Sequence, residues 1–113
     1  MYDAFMQSDW DRFNTHLDPR LTAWETHLGD MIMGQAGLDH YRRTRPAPQV
    51  LSYLRATDHL IDTWGETSVA RYILTGASAA DPKEIRRSRV TEVFRWDGLE
   101  WRIIHRHSER LSS

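Results

Sequence analysis

The first third of the chain carries apolar residues at helical spacing. Trp10, Phe13 and Leu17 recur at i, i+3 and i+7, which places them on one face of an α-helix. Ser8 is a favourable N-cap for this helix. Asp18-Pro19 is expected to end it, because the residue before a proline disfavours helical dihedral angles. The pattern therefore predicts a helix with an aromatic stripe at the start of the domain.

Beyond this helix the pattern changes gradually to strands. A short strand over residues 21–26 and a loop over 29–34 precede a second helix over 35–43. After residue 49, extended segments are separated by Gly, Asp and Pro turn signals. Helices followed by a meander of strands indicate an α+β fold, with helices packed on one face of a strongly bent antiparallel sheet. The predicted strands cover residues 50–55, 59–64, 68–75, 85–96 and 101–109.

The last predicted hairpin has one face that runs from apolar to polar. Because side chains alternate along a strand, Glu92 and Phe94 share this face with Ile103, His105 and His107. A four-residue loop sets Phe94 opposite Ile103 and Glu92 opposite His105, within hydrogen-bonding reach. An apolar wall that ends in a few convergent polar groups is typical of a ligand pocket. The other face mixes Val93 and Ile104 with arginines, which suits a contact between the sheets of two copies.

Length and composition exclude several classes of protein. A chain of 113 residues fits a single domain, residues 1–113. It has no cysteine, which excludes disulfides, thiol catalysis and zinc–thiolate sites. With a formal net charge of −1, nucleic acid is not an expected partner. No apolar run approaches the roughly 20 residues that span a membrane, and the N-terminus does not resemble a signal peptide, so a cytoplasmic location is expected.

Two blocks of sequence resemble a known domain. LDPRLTAWETHLGDMIMG, followed by a helix containing Tyr41, and TEVFRWDGLEWRIIHRHS resemble the association (hub) domain of calcium/calmodulin-dependent protein kinase II. That domain belongs to the nuclear transport factor 2-like (NTF2-like), SnoaL-like superfamily. The resemblance implies a cone-shaped sheet around a helix, homodimers or larger rings formed through the sheet, and an internal cavity that binds a small molecule without a cofactor. The residues expected to line the cavity are Leu38, Tyr41, Glu92, Phe94, Ile103, His105 and His107.

The chain departs from the kinase hubs at charged positions of this cavity. Where the hubs carry arginines and a histidine that hold a carboxylate, this sequence has Ile73, Glu92 and Leu38. Carboxylate binding in the manner of the hubs is therefore not expected. Since the sequence contains no kinase motif, the resemblance implies a free-standing relative of unassigned activity.

An enzymatic function remains the alternative hypothesis. Glu92 and His105 are the candidate acid–base pair of a cofactor-independent isomerase, cyclase or hydrolase, because burial of a glutamate raises its pKa toward neutrality. A structural hydrogen bond between the two is the favoured interpretation. Glu25 lies where isomerase-like relatives carry a catalytic carboxylate and is a weaker candidate. His105 and His107 alone make a poor metal signal, so no metal site is expected.

Overall fold

The computed structural model describes residues 16–25, 29–44, 51–81 and 83–111. Within these ranges one sheet and one helix make up the regular structure. The predicted first helix, including its N-cap Ser8, lies outside the described residues. The elements in chain order are β1 (Leu17–Trp24), β2 (Ile32–Met33), α1 (Gly34–Thr44), β3 (Leu51–Trp64), β4 (Thr67–Ser78), β5 (Ile85–Trp96) and β6 (Trp101–Arg110).

The six strands lie in the order β2-β1-β6-β5-β4-β3, and the sheet is mixed. Strands β3 to β6 form an antiparallel meander, and β2 is antiparallel to β1. However, β1 runs parallel to β6, so the prediction of a wholly antiparallel sheet was wrong. Each hairpin of the meander is specified by its own turn residues, whereas a parallel pair needs a long crossover that no local signal announces.

The predicted elements correspond closely to the observed ones from α1 onward. The helix predicted over 35–43 is α1, and the bounds predicted for β5 are those observed. β1 begins at Leu17, so Asp18-Pro19 lies within a strand instead of ending a helix. The two strands predicted on either side of Asp58 form the single strand β3, which has a register shift at this point and a φ of 59° at Asp58. The predicted loop over 29–34 contains the short strand β2.

Pairing across all six strands defines the two faces of the sheet. We call one the inner face, defined by the row Ile61, Ala70, Glu92, Arg106, Ala23 and Ile32. We call the other the outer face, defined by the row Asp62, Val69, Val93, His105, Thr22 and Met33. Helix α1 packs against β1 and β2 and covers the inner face there.

A hydrophobic core cluster lies on the inner face, between α1 and the β1–β6 pair. Five buried residues form it, and three partly buried residues pack against them. Removal of these apolar side chains from water is the main force that closes the helix onto the sheet. The buried residues are Leu17, Leu21, Ala23, Ile32 and Ile103, and the packed residues are Leu38, Tyr41 and Phe94. Among the described residues no helix has the length and apolar character needed to cross a bilayer.

Candidate functional site

A β-bulge in β6 decides which side chains reach the inner face. Phe94 pairs with Ile103, as predicted from a four-residue loop, but Val93 pairs with His105. Ile104 is therefore an extra residue in β6, and such a bulge exchanges the two faces of the strand beyond it. Consequently Glu92 lies opposite Arg106, and the predicted pairing of Glu92 with His105 was wrong.

Glu92 is a buried carboxylic acid at the centre of the inner face. Only 2% of its surface is exposed. The Arg106 guanidinium lies beside it, with Nε 3.6 Å from Glu92 Oε2, and this oxygen accepts no hydrogen bond from the described residues. Across the strand pair β4–β5, Glu92 faces the small side chain of Ala70. A buried carboxyl oxygen that accepts no hydrogen bond is uncommon, because desolvation of the group is then uncompensated.

Arg106 also binds a second carboxylate, that of Glu25. Arg106 Nη1 donates to Glu25 Oε1 at 2.5 Å, and Ser108 Oγ donates to Glu25 Oε2 at 2.8 Å. We call these four residues the Glu92 cluster: Glu25, Glu92, Arg106 and Ser108. The predicted candidates Glu25 and Glu92 are thus brought together, but by an arginine that the sequence pattern places on the outer face.

Burial raises the pKa of Glu92 to about 7, from an ordinary value of 4.5. Desolvation of the carboxylate is the largest cause, and the nearby charge of Glu25 acts in the same direction. The positive charge of Arg106, and more weakly His59, opposes the shift. His59 stacks on the buried ring of Tyr72, with centroids 5.2 Å apart. A carboxylic acid with a pKa near 7 can both donate and accept a proton at neutral pH.

His105 and His107 lie on the outer face, away from the Glu92 cluster. His105 Nδ1 and Thr22 Oγ1 share a hydrogen bond of 2.6 Å across the parallel pair β1–β6. His107 pairs with Trp24 in the same ladder and is exposed. The two histidines were predicted to line a cavity, and the bulge at Ile104 places them on the opposite side of the sheet. In the described part of the chain, no group of three or more potential ligands is arranged to hold a metal ion.

The remaining predicted cavity residues belong to the hydrophobic core. Ile103 is buried, and Phe94, Leu38 and Tyr41 pack on the core cluster. They form an apolar neighbourhood on the same face as Glu92, and alternation along the strands predicts this for Phe94 and Ile103. Arg106 and Ser108 were missed because the prediction assumed unbroken alternation along β6.

The outer face carries apolar side chains that no described helix covers. Val69 and Val93 form a half-buried pair in the middle of the sheet. Met33 and Trp24 are exposed at the β1–β2 end of the same face. An exposed apolar sheet face of this kind is typical of a surface that contacts another protein.

Comparison with solved structures shows which fold this is. The CaMKII hub of S. rosetta superposes with a TM-score of 0.82 at 21% identity, over 97% of this chain and 88% of that chain. The association domain of C. elegans CaMKII gives 0.76 at 18% identity, over 96% and 85%. An NTF2-like protein of unknown function from Pseudomonas putida KT2440 gives 0.74 at 17% identity, over 99% and 82%.

These similarities establish the NTF2-like fold, which the resemblance of the sequence implies. No protein-family model and no curated protein matches the chain. At such low identities the shared fold does not by itself assign an activity, because function resides in the site that a fold carries.

Proposed function

We propose that this chain is a self-associating domain whose copies pair through the outer face of the sheet. The observation that carries the proposal is the half-buried apolar centre of that face, formed by Val69 and Val93, which no described helix covers. Burial of these side chains and of the exposed Met33 against a second copy removes apolar surface from water. The structural similarity to a CaMKII hub and to a CaMKII association domain supports assembly as the role of this fold here.

Sedimentation of the purified protein tests this proposal. The chain has a mass of 13.3 kDa, and the proposal expects a particle of at least twice that mass at micromolar concentration. A single species of 13.3 kDa at every accessible concentration contradicts it. A charged substitution at Val93 provides the site-specific test.

The Glu92 cluster supports a second role for the same protein, the binding of a small molecule on the inner face. Ion pairing and hydrogen bonding satisfy both oxygens of Glu25, whereas Glu92 Oε2 accepts no hydrogen bond from the described residues. A ligand group with a hydrogen to donate satisfies this oxygen, while a carboxylate ligand adds a third negative group to the cluster. Mass spectrometry of small molecules released by denaturation tests this role. A compound is expected from the wild-type protein and not from Glu92→Gln, and equal release from both contradicts the role of Glu92.

The alternative is acid–base catalysis at the same cluster, with Glu92 as the group that exchanges the proton. The pKa of about 7 favours this alternative, since proton transfer is most efficient when the pKa lies near the working pH. Arg106, and not His105, is then the residue that adjusts the acidity of Glu92. An activity that Glu92→Gln abolishes and His105→Asn preserves supports the alternative, and an activity that survives Glu92→Gln excludes it.

A further inference from the structure

Strand β3 is a long free edge of the sheet. It is the last strand in the strand order, and no described strand pairs with its edge that points away from β4. Its first part ends in a register shift between Thr57 and Leu60, with a positive φ of 59° at Asp58. Irregularities of this kind protect an edge against added strands. Residues 60–64 beyond the shift pair regularly with β4, and residues 59–64 are all exposed, so this segment is the part of the edge that is open to pairing.

This open segment exposes large apolar side chains on both faces of the sheet. Leu60 and Trp64 project from the outer face and are 59% and 61% exposed. Ile61 projects from the inner face and is 59% exposed. A partner that lies flat on one face covers only one of these sets. A strand added along the edge covers both, because its own side chains alternate between the same two faces.

The charges along the segment allow pairing with an identical segment. Natural edges are commonly protected by lysines or other charges that repel a second copy. Between residues 59 and 64 the only acidic or basic side chain besides His59 is Asp62, and Arg71 of the same chain binds it at 2.9 Å. The edge therefore lacks the repulsion that keeps two like strands apart.

From these observations we infer that residues 59–63 pair antiparallel with the same residues of a second copy and extend the sheet across two subunits. A two-fold axis perpendicular to the sheet keeps each face on its own side. It must therefore pass midway between one residue and the same residue of the second copy. An axis at Leu60 sets Asp58 against Asp62 of the second copy, and an axis at Asp62 sets that acid against itself. An axis at Ile61 avoids both like-charge contacts and packs the two isoleucines together.

This edge contact is distinct from the face contact of the proposed function. Each copy then has two self-complementary surfaces, one on the outer face and one along β3. Two isologous contacts per subunit assemble more than two copies, whereas either contact alone gives only a dimer. The inference thus names the surface by which dimers become larger assemblies.

Cysteine cross-linking tests the contact and its register, because the natural chain contains no cysteine. Residues directly opposite in an antiparallel pair are close enough for a disulfide. We expect Ile61→Cys to form covalent dimers under mild oxidation at least tenfold faster than Leu60→Cys, Asp62→Cys or Leu99→Cys. Leu99 is 88% exposed in the β5–β6 loop and reports random collision. Fastest cross-linking at residue 60 or 62 overturns the register, and rates equal to Leu99→Cys at all three positions overturn the contact.

Ile61→Lys provides a measurement that does not depend on disulfide chemistry. It places a charge on each copy at the two-fold axis, so we expect the assembly mass in sedimentation to fall by half or more. An unchanged mass with an unchanged circular dichroism spectrum overturns the inference and leaves the edge to a different partner. Failure of the face contact is distinguishable, because Ile61→Cys then still cross-links into dimers.

Discussion

Arg106 lies directly opposite Glu92 in the β5–β6 ladder, with its guanidinium between that acid and Glu25. One guanidinium thus pairs with two carboxylates on the inner face. Both acids depend on it, since the Glu92 side chain is almost fully buried and the Glu25 side chain is mostly so.

Removal of Arg106 is expected to destabilise the protein strongly. Arg106→Met keeps most of the side-chain volume but leaves two carboxylates without their cation, and we expect the free energy of unfolding to fall by about 2–4 kcal/mol. Urea denaturation at pH 8 measures it. Arg89→Met is the matched control, because Arg89 pairs with Glu109 at 2.8 Å with both side chains exposed, and such pairs contribute little. Equal losses in the two variants contradict the prediction.

The stability of the protein is expected to fall as the pH rises from about 4.5 to about 7. The pKa of Glu92 is about 7 in the folded chain and near 4.5 when unfolded, so the folded state holds the extra proton between these values. The folded state is therefore favoured below pH 4.5, and the loss is complete above pH 7, amounting to about 3 kcal/mol. Unfolding free energies of wild type and Glu92→Gln across pH 4 to 8 measure this. The difference in unfolding free energy between the two proteins should change with pH as Glu92 titrates. Two parallel curves contradict the prediction.

The acidity of Glu92 is expected to depend on Arg106 and not on His105. Arg106→Met removes the charge that opposes the shift, so the pKa of Glu92 rises further above 7. His105→Asn lies on the outer face and should leave this pKa unchanged. Titration of the Glu92 carboxyl carbon by NMR reads both effects directly. A pKa that moves in His105→Asn and not in Arg106→Met restores the pairing predicted from the sequence.

The sequence predicts the strands that carry this site better than the side chains that form it. The bounds of β5 and the β5–β6 loop follow from local chemistry, because Asp97 Oδ1 accepts hydrogen bonds from the backbone of Leu99 and Glu100. The bulge at Ile104 has no comparable turn signal. Its one local sign is the adjacent pair Ile103-Ile104, which breaks the alternation of apolar and polar residues in β6.

One inserted residue was enough to misplace two of the seven residues predicted to line the cavity. Beyond Ile104 every side chain of β6 changes face, so His105 and His107 leave the inner face while Arg106 and Ser108 enter it. The pairing of β1 with β6 could not be predicted from local sequence signals either, because Thr22 and His105 are separated by 83 positions. Glu25 could be proposed only through the resemblance, because its partners lie across this contact.

The hydrogen bond between Thr22 and His105 is expected to stabilise the parallel pairing of β1 with β6. Thr22→Val retains the shape of the side chain but leaves His105 Nδ1 without this partner, which should cost about 1 kcal/mol. Chemical denaturation at pH 8 measures the loss. Thr91→Val is the control, because Thr91 shares the outer face in β5 and its side chain makes no hydrogen bond to the described residues. A loss in Thr91→Val as large as that in Thr22→Val shows that the effect arises from the change of residue type.

A charge in the middle of the outer face is expected to break the face contact between copies without unfolding them. Val93 lies between Val69 and His105 in the outer row and is only half-buried in one copy, so a glutamate there remains hydrated when the face is free. Within a face-to-face contact, the same carboxylate meets the apolar side chains of the second copy and must lose its water. We therefore expect Val93→Glu to weaken the face contact at least a hundredfold in sedimentation equilibrium, so that no assembly larger than the edge-paired dimer remains, while its circular dichroism spectrum stays that of the wild type. Leu99→Glu, in the exposed loop away from this face, should associate as the wild type does. Undiminished association of Val93→Glu would show that the copies meet elsewhere, and the free edge of β3 would then be the remaining surface.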